Sequence, residues 1–116
     1  MQYLTVTIPK KAVTLGSRIG LADTFITRLV GLLGHSSLED GCGLLIRPSS
    51  GVHTMWMRFA IDVVALDKDM RVVRTWQRLR PWRLTSVNFD THSVLELAPG
   101  RIHQFDIQPG DQLAIS

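Results

Sequence analysis

The stretch from Val52 to Asp67, V-H-T-M-W-M-R-F-A-I-D-V-V-A-L-D, is the most apolar part of the chain, yet it carries His53, Thr54, Arg58, Asp62 and Asp67. Burying a polar group without a partner costs on the order of 1–3 kcal/mol, and more for a charge. These side chains must therefore pair with one another, reach solvent or serve a ligand. In a straight strand Arg58 and Asp62 would stand roughly 13 Å apart. A bend at Phe59-Ala60 would let them meet as a bidentate pair. The expectation is of two strands, 52–58 and 61–67, folded over at that bend. Arg58 and Asp62 then either fix the bend or line a pocket in which Arg58 grips an anion and Asp62 orients it.

Around this ribbon the pattern is mainly β. Residues 1–8 alternate apolar and polar side chains as a strand does, and Pro9-Lys10-Lys11 turns the chain. Short extended pieces follow around Gly16 and Gly20. An amphipathic helix is expected over Asp23–Leu33, with Asp23 as N-cap and Phe25, Leu29, Leu32 and Leu33 as its apolar stripe. Gly43 to Arg47, Arg71 to Leu79, Val94 to Leu97 and Gln112 to Ile115 read as strands. Lys68-Asp69, Ala98-Pro99-Gly100 and Gln108-Pro109-Gly110-Asp111 read as turns. The fold class is mainly β (α+β): a small antiparallel β-barrel with one short helix.

At 116 residues the chain is expected to form one domain. It has no apolar run near the ~20 residues of a membrane span, and its N-terminus lacks the basic start of a secretory signal. A cytoplasmic location and no membrane partner are the expectation. The lone Cys42, between two glycines, excludes an intramolecular disulfide and a cysteine-rich zinc site. His35, His53, His92 and His103 have no metal-binding spacing, so neither a metal nor a cofactor is implied.

Gly31-Leu32-Leu33-Gly34, Gly43-Leu44-Leu45-Ile46, the block H-T-M-W-M-R-F-A-I-D-V-V-A-L-D, Val94-Leu95-Glu96-Leu97-Ala98-Pro99-Gly100 and a closing Gly110-Asp111 follow one another in this order. Together they resemble the domain-of-unknown-function 192 family, from about Ala22 to Ala114, and within it the branch with H-T-x-W-M-R-F-P-I-D-V. The resemblance implies a small β-barrel-like fold and no established activity. Ala60 stands where the family usually has proline, Leu33 where methionine is common, and Met70 where glycine is usual. The last departure argues against a hairpin turn requiring φ > 0 at Met70. The closing I-Q-P-G-D-Q-L-A-I is similar to the Gly-Asp turn of cradle-loop barrels. There Gly110 would supply backbone freedom and Asp111 would cap the turn.

Two further signals bear on function. Glu96, between Leu95 and Leu97, should lie on the solvent face of its strand unless an arginine such as Arg58 or Arg83 gives it a role. Arg71 to Arg83 contains five arginines, two tryptophans and no acid. Extended, it would put Arg74, Trp76, Arg78, Arg80 and Trp82 on one cationic, aromatic face. A net charge of +3 and the lack of an RNA-recognition signature argue against nucleic acid. The first reading is a binding module whose cleft, lined by His53, Thr54, Arg58, Asp62, Trp82, Arg83 and Glu96, takes a small polar or anionic ligand or a partner segment. The alternatives are a hydrolase with His53 or Asp62 as base, and a protein scaffold acting through Arg71–Arg83.

Overall fold

Seven strands build one curled sheet in the computed structural model, which describes residues 1–24, 27–28, 31–32, 35–54 and 57–116. They are β1 (Tyr3–Ile8), β2 (Val13–Ala22), β3 (Gly41–Ile46), β4 (Ile61–Leu66), β5 (Val72–Leu79), β6 (Ser93–Leu97) and β7 (Ala114–Ile115), with a short helix α1 (Arg101–Phe105) before the last. Their order across the sheet is β5-β4-β6-β3-β2-β1-β7. All pairs are antiparallel except β2 with β3, which are parallel and joined by the crossover through residues 23–40. The curl brings the two edges together at one end. There Val72 N–H donates to Asp111 O at 2.8 Å, Gly110 N–H to Val72 O at 2.8 Å and Leu113 N–H to Met70 O at 2.9 Å.

Both faces of the central strands are covered. One face, inside the curl, carries Ile19, Leu45, Val64, Leu95 and Leu97 against Ile102 of α1. The other carries Leu44, Ile46, Val63 and Val94 against Leu32 and Met57. Burial of this apolar area at roughly 25 cal/mol per Å² is the main driving force for the fold.

Several expectations change at the level of elements. Among the described residues of 52–58 no strand forms; His53 makes an isolated bridge to Leu84, and Met55 and Trp56 lie outside the described residues. Thr24 takes the capping role expected of Asp23: its Oγ1 accepts Thr27 N–H, and Thr27 Oγ1 accepts Thr24 N–H, each at 3.1 Å. Thr27 and Arg28 are helical and Leu32 is buried, but Phe25, Leu29 and Leu33 lie outside the described residues. The turn at Asp67–Arg71 forms despite Met70, which adopts φ +65°; Asp67 Oδ1 holds it by accepting the N–H groups of Asp69 and Arg71, both at 2.9 Å.

Candidate functional site

Asp62 is wholly buried, and both of its oxygens are engaged by backbone. Oδ1 accepts Arg78 N–H and Oδ2 accepts Ile102 N–H, each at 2.8 Å. Arg78 sits at φ +50° in a bulge, where three residue steps on β5 oppose two on β4. Ile102 lies in the first turn of α1, and Gly100 precedes it at φ +93°. A Cβ on Gly100 would stand 3.2 Å from Arg78 Nη2, so glycine serves both the conformation and the approach. One carboxylate thus ties β4, the bulge in β5 and the start of α1. Arg58 is exposed, and among the described residues no ion pair joins it to Asp62.

Thr54 is likewise buried and committed to structure. Its Oγ1 donates to Arg80 O at 2.6 Å and accepts Arg83 N–H at 2.8 Å, while its backbone O accepts Trp82 N–H at 2.9 Å. This clamp fixes the turn beyond Pro81, where Trp82 has φ +65° and is half-exposed. His53 and Arg83 are exposed beside it. His53 is exposed, whereas Asp62 is wholly buried with each oxygen accepting a backbone N–H, which leaves it no exposed face toward a substrate. Gly110 (φ +96°) and Asp111 shape the last turn. Asp111 Oδ2 accepts Gln108 N–H and a Lys11 Nζ hydrogen bond, each at 2.8 Å. Burial pushes its carboxyl up, but the bonds from Lys11 and Gln108 outweigh that and hold it below the usual range.

The expected cationic face on β5 is rearranged by two bulges. Trp76 pairs with Val63 and Leu79 with Ile61, so both pack on the second apolar cluster although three residues apart. Arg78, between them, occupies the bulge. Arg74 pairs instead with Asp90 at 2.7 and 2.9 Å.

Strand pairing places one row of side chains across the second face: Tyr3, Gly20, Leu44, Glu96, Val63 and Trp76. Glu96 is buried here rather than exposed, because β6 is an inner strand with apolar layers on both faces. Its Oε2 has no hydrogen-bond partner, and burial pushes its carboxyl up to about 8.

At the Tyr3 end of the same row the face opens into a cleft of about 410 Å³. Gly20 and Leu44 line it, with the Met1 side chain lying against Gly20, together with Leu32, His35, Ser37, Leu38 and Glu39. Arg18 and Cys42, Cα partners two residues below Gly20 and Leu44, line it as well. The Arg18 guanidinium lies 5.1 Å from the centroid of the Tyr3 ring. Among the described residues no carboxylate pairs with Arg18, and no three His, Cys, Asp or Glu side chains gather as a metal site would require. The sequence alone assigns no site role to Arg18 or Tyr3, and presents His35 only as one of four histidines without metal-binding spacing. The usable signal was G-S-R-I-G, an arginine between two glycines on a strand with an aromatic residue available opposite.

The fold defines a small, mostly β domain built as a curled half-barrel with a cleft on its outer face. The chain belongs to the DUF192 family, described as an uncharacterized ACR, whose model matches residues 6–115. It is 31% identical over 100 residues to a UPF0127 protein of Thermococcus gammatolerans, covering 83% of this chain and 65% of that protein. The chain thus spans slightly less than two thirds of that relative. Two solved structures share the fold. A protein of unknown function from Novosphingobium aromaticivorans superposes with TM-score 0.81 at 23% identity, over 96% of this chain and 82% of the other. A Sinorhizobium meliloti protein, assigned only provisionally as a transcription regulator, gives 0.82 at 17% identity, over 96% and 90%.

Proposed function

We propose that this domain is a non-enzymatic binding module for a small polar or anionic ligand, held in the cleft between β1–β3 and residues 31–32 and 35–39. The observation that carries the reading is the Arg18 guanidinium, with no carboxylate partner among the described residues, stacked on Tyr3 at a cleft of about 410 Å³. That volume falls within the range of ordinary small-molecule sites, roughly 300–1,000 Å³. Arg18 supplies a fork of donors for a carboxylate or phosphate, and His35 and Ser37 offer further polar contacts. Glu39, which also lines the cleft, favours a ligand that also bears a hydrogen-bond donor or a positive charge over a polyanion. Arg58 and Arg83, expected at the site, belong to a different, exposed surface.

A thermal-shift screen with inorganic phosphate, nucleotides, amino acids and sugar phosphates tests this on the wild type, Arg18→Ala and Arg58→Ala. A ligand at ten times its Kd should raise Tm by about 5 °C in the wild type and in Arg58→Ala. In Arg18→Ala the rise should disappear. A shift retained in Arg18→Ala, or none from any compound, contradicts the proposal.

A further inference from the structure

The segment following β5 is built inside out. Its threonines are interior: Thr85 and Thr91 are each 7% exposed. Its large apolar side chains are not: Leu84 is 67% exposed, Val87 76% and Phe89 fully so at 109%. Backbone geometry holds this inversion in place. Val52 N–H donates to Thr85 Oγ1 and Thr85 N–H to Val52 O, both at 2.9 Å, and Asn88 N–H donates to Ser50 O at 3.3 Å. The Thr54 clamp on Arg80 and Arg83 anchors the other end. Turning the apolar groups inward would break these bonds. Leaving three large apolar side chains in water forgoes roughly 1.5–3 kcal/mol each, a cost the fold does not recover internally.

Charge narrows the choice of partner. The stretches 47–61 and 78–89, joined by the Ile61–Leu79 pairing and by the bonds of Thr54 to Arg83 and Val52 to Thr85, hold five of the chain's 13 basic residues, all arginine, and no Asp or Glu. The next acid, Asp90, is already paired with Arg74. Arg58, Arg80 and Arg83 are exposed on the same ribbon as Leu84, Val87 and Phe89. A partner for this surface is anionic and receives apolar groups that project singly. A folded protein would need a matching pocket for each projection, whereas the boundary of a lipid bilayer adapts to them. We infer that the 80–89 segment is a peripheral docking surface for an anionic bilayer, with Val87 and Phe89 entering the acyl boundary and Arg80 and Arg83 meeting the headgroups. No helix among the described residues is long and apolar enough to cross a membrane. A surface contact needs none, so the expectation of no membrane partner, which rested on the lack of a span, does not bear on it.

The test is co-sedimentation of the full chain with vesicles of phosphatidylcholine alone and of phosphatidylcholine mixed with phosphatidylglycerol. Binding should require the anionic lipid and weaken with salt. Val87→Ser/Phe89→Ser should lower the partition coefficient about tenfold per apolar group removed. Arg80→Ala/Arg83→Ala should lower it about fivefold per charge. All four side chains are exposed, so both double variants should keep the wild-type melting temperature, which serves as the folding control. Absence of binding to the mixed vesicles, or equal binding by the variants, overturns the inference. Self-association of the wild type without lipid, lost in Val87→Ser/Phe89→Ser, would also overturn it and make the surface an interface between copies.

Discussion

Glu96 is held neutral by its surroundings. Its carboxyl, with an ordinary value of 4.5, is raised to about 8 because leucine and valine side chains replace water around it. Between those two values the folded chain keeps a proton that the unfolded chain releases. Stability contributed by this group is therefore complete below about pH 4.5 and lost as pH rises to about 8. The loss should be on the order of a few kcal/mol. Urea unfolding of wild type and Glu96→Gln across that window checks it: the wild type should weaken with rising pH relative to the variant. Parallel curves for the two proteins would show that Glu96 is ionised in the fold. At this scale the sequence was half legible. It showed that Asp62 needed a partner, but the partners are two backbone N–H groups 16 and 40 residues away, which leave no trace in side-chain spacing. It put Glu96 on the surface because alternation within a strand distinguishes two faces but does not tell whether the second face is covered.

The elements divide by how local their causes are. β1, β3, β4, β5 and β6 lie close to where alternation and apolar runs put them. The short helix α1 was missed, since Arg101-Ile102-His103-Gln104-Phe105 has no N-cap side chain of its own and takes its acceptor from Asp62 on β4. The bulges in β5 were equally hidden: Arg78 adopts φ +50° without the glycine that would have announced it. Asp62 is the common cause of both features. Asp62→Asn replaces one acceptor with an amide that faces an N–H, and should cost about 3 kcal/mol of stability. Amide exchange at Arg78 and Ile102 should speed up first. A cost below about 0.5 kcal/mol would mean that the bulge and α1 hold without it.

For the whole molecule, the curled sheet decides which residues can act together. Strand order brings Tyr3, Arg18, Gly20 and Cys42 beside Leu44, although the chain separates them by up to 41 positions. No motif encodes that neighbourhood; it follows from the parallel β2–β3 pair, which short antiparallel connections would not have produced. Arg58 and Arg83 are exposed and outside the lining of the cleft, and among the described residues no ion pair joins either to Asp62. Chemical-shift mapping of backbone amides during titration with inorganic phosphate and adenosine monophosphate separates these places most directly. Perturbations should concentrate at Tyr3, Arg18, Gly20, His35 and Cys42 and saturate together. Saturating perturbations confined to His53, Arg58 and Arg83, with the cleft unmoved, would contradict the assignment of the site to the outer face of β1–β3.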